Sequence, residues 1–360
     1  MSESLHIVLL PGDGIGPEVI AAAREVSNRA AVRSGVMVTW EEHAFGGAAI
    51  DVAGEPFPDA TRKACLAADA VLLGAIGGPA WDDVEPQRRP EKGLLALRHA
   101  LGAYANLRPV SVPEALAHLS VLPPTRVAGT DLLVVRELTG GIYFGEPRQY
   151  SAEEAFDTMR YSAAEIDRIA HVAFRAARQR RSKVTSVDKA NVLASSRLWR
   201  ERVTLLHAEV YADIALDHMY VDNAAMQVVR DPGAFDVVLT ANLFGDIISD
   251  LASTLAGSLG VLPSASTGGT TPLFEPVHGS APDIAGRNEA NPVAAMLSAA
   301  MLFETAGHPE SAGLVRRAVD ATLAAGIMTG DLSADGVSTL AFTDRVCEEM
   351  DRIPTQTVAN

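Results

Sequence analysis

Two aspartates spaced four residues apart, Asp246 and Asp250, follow an apolar stretch, Phe235–Thr240, that is typical of a β-strand. On a helix they would share one face, where like charges repel by roughly 0.2–0.5 kcal/mol unless a cation joins them. Carboxylate oxygens suit Mg²⁺ or Mn²⁺ better than zinc. The spacing equally allows Asp246 to stabilise a helix N-terminus while Asp250 is solvated. Asp222, which follows another short apolar stretch, is a candidate third ligand.

Three arginines lie beside segments that the sequence predicts to be regular structure. Arg108 is followed by a proline, Arg136 ends the apolar stretch Leu132–Val135, and Arg98 lies within a predicted helix. A guanidinium binds a carboxylate through two parallel hydrogen bonds, so three converging arginines would bind a dicarboxylate. Each arginine alone is equally explained by a surface ion pair, such as Arg136 with Glu137, and the sequence does not show convergence.

Two further residues are candidates for proton transfer. Lys189 follows the predicted strand Lys183–Val187, and a lysine at the end of a strand can serve as a general base. Tyr143 lies in the glycine-flanked segment 140–145 and could donate a proton. Either residue could also be an ordinary exposed side chain.

Two loops are rich in groups that contact ligands. The run Gly12-Asp13-Gly14-Ile15-Gly16-Pro17 follows a predicted strand, but Pro17 stands where a Rossmann fingerprint requires its third glycine. The proline instead suits the first turn of a helix. The segment 275–284 combines turn-forming residues with His, Ser and Asp side chains, and Asn291 follows it. Such a loop suits nucleotide recognition but does not identify the ligand.

Short β-type stretches alternate with longer helical ones along the chain, which predicts an α/β fold with a largely parallel sheet. The predicted strands and helices include His6–Leu10, Pro17–Ser34, Asp59–Ala68, Ala70–Leu73, Leu94–Leu101, Arg197–Ala208, Asp246–Ser258, Pro292–Phe303 and Leu314–Ala325. Ser162 and Glu165 predict a capping box for a helix over Tyr161–Arg180.

Composition limits the classes of function. The chain has 360 residues, too many for one small domain, which suggests two domains or one large α/β unit. Hydrophobic residues make up 48% of it, enough to bury a sizeable core. A formal charge of -15 disfavours nucleic acid as a partner. Two cysteines, Cys65 and Cys347, lie far apart and indicate reduced thiols. No signal peptide is evident, and the apolar stretch 293–303 is too short to span a membrane. We expect a cytoplasmic protein.

Taken together in order, the motifs resemble those of the isocitrate/isopropylmalate (β-decarboxylating) dehydrogenase family. The resemblance runs from Gly12 to about Asp331, and several long matches in the right order are more specific than any one of them. The strongest matches are Arg136 to Glu146, Val187 to Leu193, Val221 to Gln227, Phe244 to Asp250 and the segment 275–284.

The resemblance implies a two-domain α/β fold without a Rossmann domain. Residues 1–104 plus 257–360 would form a terminal, cofactor-side domain, and 105–256 a middle domain with a dimerisation arm near 142–160. The protein would be a homodimer with shared active sites, in which Lys189 and Asp222 reach the partner's site.

The resemblance also implies a role for each candidate residue. Lys189 would accept the hydroxyl proton of the substrate, and Tyr143 would protonate the carbon that loses CO₂. The metal, Mg²⁺ or Mn²⁺, would be held by Asp222, Asp246 and Asp250. Substrate-binding residues would be Glu91, Leu94, Leu95, Arg98, Arg108, Arg136 and Asp222. Cofactor-binding residues would be Ile15, Gly78, Glu275, His278, Gly279, Ser280, Ala281, Asp283, Ile284 and Asn291.

Cofactor and substrate choice follow from two short segments within the resemblance. A carboxylate at Asp283 would accept hydrogen bonds from the adenosine ribose and repel a 2′-phosphate, which favours NAD over NADP. The apolar pair Leu94 and Leu95 resembles the pattern that contacts an alkyl group, so 3-isopropylmalate is the expected substrate. An apolar pocket discriminates by only ~1–3 kcal/mol per methylene, so other 3-alkyl- or 3-arylmalates, D-malate and tartrate remain alternatives. Another alternative is a non-catalytic regulatory subunit of a hetero-oligomeric dehydrogenase. Such a subunit would lack some of the catalytic Tyr, Lys and Asp residues, all of which are present here.

Overall fold

The computed structural model describes residues 4–354. Its first segment comprises β1 (Leu5–Gly12), α1 (Gly16–Ser34), β2 (Val38–Glu42), α2 (Gly47–Ala53), α3 (Asp59–Ala67), β3 (Ala70–Ala75) and α4 (Pro90–Ala100). Its middle segment comprises β4 (Ala105–Ser111), α5 (Pro124–Val127), β5 (Asp131–Glu137), β6 (Gln149–Tyr150), β7 (Ala155–Phe156), α6 (Ala163–Arg178), β8 (Lys183–Asp188), α7 (Ala194–Val210), β9 (Ala215–Tyr220), α8 (Val221–Arg230), β10 (Val237–Thr240) and α9 (Asn242–Ser253). Its last segment comprises β11 (Pro263–Thr267), β12 (Leu273–Pro276), α10 (Val293–Thr305), α11 (Pro309–Ala324) and α12 (Thr339–Arg352).

The chain divides into two compact units. The first unit combines the residues up to Ala103 with those from Ser258 onward, and the second is Tyr104–Gly257. In the first unit the strands lie in the order β2-β1-β3-β12-β11, with only the β11–β12 pair antiparallel. Buried side chains of β1 and β3 pack with α3 and α4 into one core. The parallel strands β1, β3 and β12 therefore end at one edge, where their loops meet.

The strands of the second unit lie in the order β4-β5-β10-β8-β9. The strands β5, β10, β8 and β9 are parallel, and β4 pairs antiparallel with β5. Apolar side chains of α6 and α7 cover this sheet and form a core around Phe174 and Trp199. A separate hairpin of two very short strands, β6 and β7, has exposed side chains throughout.

Local sequence signals account for several element boundaries. The predicted capping box is confirmed, since the Ser162 hydroxyl accepts the Glu165 N–H and the Glu165 carboxylate accepts the Ser162 N–H. Pro17 lies in the first turn of α1, as its fixed φ allows. The predicted start of the ninth helix at Asp246 is wrong, because α9 already begins at Asn242. Asp246 therefore lies one turn inside the helix rather than at its N-terminus.

No helix within residues 4–354 is both long and apolar enough to cross a membrane.

Candidate active site

The candidate catalytic residues of the second unit lie at the carboxyl ends of its parallel strands. Arg136 lies next to the end of β5 and pairs in register with Thr240, the last residue of β10. Lys189 directly follows β8, whose last residue, Asp188, pairs with Tyr220 at the end of β9. Loops at this edge of a parallel sheet are where open α/β proteins bind ligands.

The structure joins Arg136 and the nearby Tyr143 to Asp246, which lies 110 positions after Arg136 in the sequence. Arg136 Nη1 donates to Asp246 Oδ1 at 2.5 Å, and Tyr143 Oη donates to Asp246 Oδ2 at 2.8 Å. The Arg136 guanidinium also lies over the Tyr143 ring, 6.0 Å from its centroid. Arg136 is 6% exposed, so its charge is largely removed from water and depends on this carboxylate.

Asp250 lies one helical turn beyond Asp246 and pairs with the second candidate arginine. Arg108 Nη1 is 2.9 Å from Asp250 Oδ1 and 2.7 Å from the Ser249 hydroxyl. The Asp250 side chain is 69% exposed, whereas that of Arg108 is 16% exposed. The ion pairs of Arg108 and Arg136 therefore connect candidate residues to one another, whereas Glu137, the partner suggested for Arg136, lies 3.6 Å from Arg168.

The aspartates partly match the predicted metal site. Asp246 and Asp250 share one face of α9 with carboxylate oxygens accessible to solvent, which suits a hard divalent cation. Within residues 4–354, however, no three His, Cys, Asp or Glu side chains are grouped as a metal site requires. Asp222 instead lies 3.0 Å from Lys189 Nζ, and this hydrogen bond lowers the pKa of the Asp222 carboxyl. One chain therefore places two of the three predicted metal ligands, Asp246 and Asp250, next to each other.

The loop that carries Lys189 is held by a buried ion pair. Asp188 is 1% exposed and accepts hydrogen bonds from the Ala190 N–H and from both Nε and Nη2 of Arg200. The Tyr220 ring lies 5.0 Å from the Arg200 guanidinium and 5.9 Å from Lys189 Nζ. These contacts keep Lys189 beside Asp222 at the same edge of the sheet.

The environment of Tyr143 favours its protonated form. Burial, followed by the hydrogen bond to Asp246 and the charge of that carboxylate, raises the pKa of the phenol above its ordinary value of 10.0, and Arg136 only partly opposes this. We expect Tyr143 to ionise above about pH 10, and its hydrogen bond to stabilise the fold below that pH and to be lost above it. A difference ultraviolet titration of wild type against Tyr143→Phe tests this. Ionisation of Tyr143 at or below the ordinary value would contradict it.

In the first unit, α4 presents the predicted substrate residues. Glu91, Leu94, Leu95 and Arg98 follow the three- and four-residue spacing that places side chains on one helix face. Arg98 Nη2 donates to Glu275 Oε1 at 2.6 Å, and Glu275 is 7% exposed. Leu94 packs against the core of this unit, while Leu95 is 43% exposed. An apolar surface therefore lies one turn from a guanidinium.

Three of the predicted cofactor residues meet where β1, β3 and β12 end. The Ile15 N–H donates to the Ser280 carbonyl at 2.8 Å, which joins the first loop to the segment after β12. A Cβ at Gly14 would lie 2.0 Å from the same carbonyl, so only glycine fits this crossing. Gly78 lies close to this crossing, since a Cβ there would be 3.9 Å from the Ser280 hydroxyl. Ile15, Gly78 and Ser280 thus share one site.

Polar groups of this site fit a nucleotide. His278 Nδ1 donates to the Gly279 carbonyl at 2.9 Å, while the buried Nε2 has no hydrogen-bond partner in the described part of the chain. Burial lowers the pKa of His278, so the ring is neutral near pH 7 and Nε2 can accept a hydrogen bond from a base. Asp283 is exposed, next to Ile284, in the turns that follow Ala281. Asn291 already has a structural role, since its Oδ1 accepts the Val293 N–H at the start of α10.

Several residues that support these sites were not predicted from the sequence. Asp13, which is 3% exposed, accepts the N–H groups of Gly47, Ala48 and Gly77 and ties the loops of the first unit together. Asn242 contacts Arg136 and is 1% exposed. One signal could have identified Asn242, because it precedes Asp246 by the same four residues that separate Asp246 from Asp250.

Comparison with known proteins gives consistent matches over more than nine-tenths of the chain. A family model described as isocitrate/isopropylmalate dehydrogenase matches residues 6–346. A 3-isopropylmalate dehydrogenase from Salinibacter ruber is 62% identical, over 95% of this chain and 94% of its own. One from Parasynechococcus marenigrum is 56% identical, over 93% and 95%. The crystal structure of isocitrate dehydrogenase from Methylococcus capsulatus superposes with a TM-score of 0.84 at 37% identity, covering 96% of this chain and 99% of that one. A β-decarboxylating dehydrogenase from Thermococcus kodakarensis gives 0.82 at 35% identity, covering 96% of each chain.

Proposed function

The chain belongs to the isocitrate/isopropylmalate dehydrogenase family, and from this premise we propose that it oxidises and decarboxylates (2R,3S)-3-isopropylmalate to 4-methyl-2-oxopentanoate with NAD. This is a reaction of leucine biosynthesis. Hydride leaves C2, the C2 hydroxyl loses its proton, and the bond from C3 to its carboxylate then breaks to release CO₂. A proton finally replaces CO₂ at C3.

The observation that carries the choice of substrate is the exposed face of α4. Leu94 and Leu95 lie one helical turn from Arg98, so an alkyl group and a carboxylate on neighbouring carbons of one molecule can be bound together. Isocitrate carries a third carboxylate in place of the alkyl group, and two leucines offer it no hydrogen bond. The two relatives of highest identity described above, both named 3-isopropylmalate dehydrogenase, support the same substrate.

The residues of the second unit supply the proton transfers. Arg108 and Arg136 bind carboxylate oxygens of the substrate, and their ion pairs with Asp250 and Asp246 keep both guanidinium groups in place. Lys189 accepts the hydroxyl proton. Tyr143 gives its proton to C3, and its raised pKa keeps that proton available at neutral pH.

Mg²⁺ or Mn²⁺ would be held by the solvent-accessible carboxylates of Asp246 and Asp250, with Asp222 of the partner subunit as the third ligand. When bound, such a cation stabilises negative charge on the substrate oxygens as a Lewis acid.

A homodimer accounts for two features of the second unit. Large apolar side chains are exposed on the adjacent helices α8 and α9, including Met226 at 56% and Ile247 at 54%. The β6–β7 hairpin carries Tyr150, which is 92% exposed. A second copy that covers this surface would bury the apolar side chains and bring its own Lys189 and Asp222. A cytoplasmic location, and the exclusion of nucleic acid and membranes as partners, stay predictions.

The test of the proposed reaction is NADH formation by the purified protein with Mg²⁺ and a panel of 3-isopropylmalate, D-malate, tartrate, isocitrate and a 3-arylmalate. We expect the highest kcat/KM with 3-isopropylmalate and complete loss of activity with EDTA. A higher kcat/KM with another malate would disprove the choice of substrate but keep the reaction. Undiminished activity with EDTA would disprove the requirement for a divalent metal ion.

We predict that NAD preference depends on Asp283. The double substitution Asp283→Lys with Ile284→Tyr removes the carboxylate that would accept the ribose hydroxyls and adds groups that can bind a 2′-phosphate. We expect the ratio of kcat/KM for NADP to that for NAD to rise at least about tenfold, the effect of one lost charge-assisted hydrogen bond. Asp283→Asn, which removes only the charge, is the matched control and should give a smaller rise. An unchanged ratio in the double variant would refute the ribose contact.

A further inference from the structure

The first turn of α9 lies directly against Arg136. Arg136 pairs in register with Thr240, and the chain passes from there through Ala241 into the helix at Asn242. A Cβ added to Gly245 would lie 2.6 Å from Arg136 Cγ, so the aliphatic part of the arginine rests on the helix backbone. The helix thus defines one side of the space that Arg136 occupies.

Asn242 holds one edge of the Arg136 guanidinium. Its side-chain Oδ1 accepts from Arg136 Nη2 at 2.9 Å and from Nε at 3.2 Å, and its main-chain carbonyl also accepts from Nε, at 3.0 Å. A planar guanidinium that is bound through two nitrogens on the same edge cannot rotate about its Cδ–Nε bond without breaking both contacts. The orientation of the charged group is therefore set by Asn242.

Asn242 is itself anchored by buried groups. Its Nδ2 donates to the Gly140 carbonyl at 3.2 Å, and its main-chain N–H donates to Tyr161 Oη at 2.9 Å. Tyr161 Oη in turn donates to Glu137 Oε2 at 3.3 Å. Glu137 is fully buried and also accepts the N–H groups of Thr139 and Gly140. Burial raises the pKa of Tyr161, so its phenol keeps the proton that it donates to Glu137.

The orientation of Arg136 also affects Tyr143, the proposed proton donor. Arg136 Nη1 bonds to Asp246, whose other oxygen accepts from Tyr143. A change in the guanidinium plane would therefore move three groups that the proposed reaction uses. The side chain of Asn242 is connected to the Asp246 carboxylate through Arg136.

We propose that Asn242 is a positioning residue that sets the orientation in which Arg136 binds a carboxylate of the substrate. The proposal rests on the proposed function, in which Arg136 binds a malate. It assigns Asn242 no contact with substrate, cofactor or metal.

The test compares Asn242→Ala with a matched control, Ser186→Ala. Ser186 is fully buried in the same unit and its hydroxyl accepts the Trp199 indole N–H at 3.2 Å, so its loss destabilises the unit without touching Arg136. We expect Asn242→Ala to raise the KM for 3-isopropylmalate roughly tenfold or more while the KM for NAD stays within about twofold of wild type. The melting-temperature rise that 3-isopropylmalate with Mg²⁺ causes without NAD should shrink in parallel. Ser186→Ala should change neither quantity.

Each outcome decides the proposal. Equal increases in both KM values, or an unchanged KM for 3-isopropylmalate, would overturn it. If Asn242→Ala does not fold, Tyr161→Phe is measured instead, because it removes only the hydroxyl that anchors Asn242. It should also raise the KM for 3-isopropylmalate more than the KM for NAD, but by a smaller factor. If the wild type prefers another malate of the panel, the choice of substrate fails, and the variants are measured with that malate, whose carboxylates need the same arginine.

Discussion

Replacing Asp246 with Asn is expected to lower kcat by roughly a hundred- to several-thousandfold while the protein stays folded. The carboxylate accepts hydrogen bonds from Arg136 and from Tyr143, and in the proposed reaction it also binds the divalent cation. An amide has one acceptor oxygen and no charge, so it cannot serve all three partners. Loss of Lewis-acid stabilisation costs about 3–5 kcal/mol of the activation free energy, which corresponds to the expected range.

The measurement is kcat at saturating Mg²⁺, together with a denaturant unfolding curve of the same preparation. Asp213→Asn is the matched control, since Asp213 also binds an arginine, Arg178, at 2.6 and 2.8 Å, but lies outside the proposed site. We expect the control to keep wild-type turnover. Near-normal turnover of Asp246→Asn would show that Asp246 does not belong to the active site. Unfolding of that variant at a lower denaturant concentration than wild type would show a structural role instead.

Mixing two inactive variants is expected to restore activity if the sites are shared between subunits. Lys189→Ala lacks the proposed base, and Tyr143→Phe lacks the proposed proton donor, so each homodimer should lose about 10²–10⁴ in rate. In a mixed dimer one site would combine the intact Tyr143 of one chain with the intact Lys189 of the other. Random exchange of subunits would then give about a quarter of wild-type activity.

The structural reason for expecting shared sites is the separation of the candidate residues within one chain. Arg136, Tyr143 and Asp246 form one connected group, and Lys189 and Asp222 form another. Across residues 4–354, the three aspartates of the predicted metal site are not grouped. A second copy of the chain is the simplest source of the missing ligand.

A second mixture makes the experiment specific. Tyr143→Phe and Asp246→Asn both alter the first group, so every site in their mixed dimer would carry one defect, and no activity should return. Recovery in this control mixture would point to reversion or contamination. Absence of recovery from Lys189→Ala with Tyr143→Phe, in dimers verified to be mixed, would place the whole site within one chain.

The α/β class and most element positions were predictable because they depend on local patterns. Helix and strand periodicity placed α1, α3, α6 and β8 within one or two residues of their observed ends. The capping box of α6 is a contact within four residues, so the sequence contains all of it. The four-residue spacing of Asp246 and Asp250 likewise put both on one face of α9, whichever residue begins the helix.

Several elements escaped prediction for a physical reason. The strand β9, with the sequence Ala-Leu-Asp-His-Met-Tyr, does not alternate apolar and polar residues, and α8 follows it without a turn. No turn-forming residue therefore marks where the strand ends and the helix begins. The start of α9 was placed four residues late, because its N-cap residue is Ala241, which has no side-chain oxygen to signal a helix start. Asn242, the first residue of the helix, uses its side chain to bind Arg136.

The sequence by itself determined which chemical groups are available and which of them are neighbours on one helix or loop. It could not determine that Arg136 lies against Asp246, because these residues are 110 positions apart and meet only through the parallel pairing of β5 with β10. The same holds for the pair of Arg98 and Glu275, which are 177 positions apart. Hydrogen bonds and ion pairs act over a few ångströms, whereas the order of strands in a sheet depends on packing of the whole unit. Only the tertiary structure therefore decided which of the candidate charges bind one another.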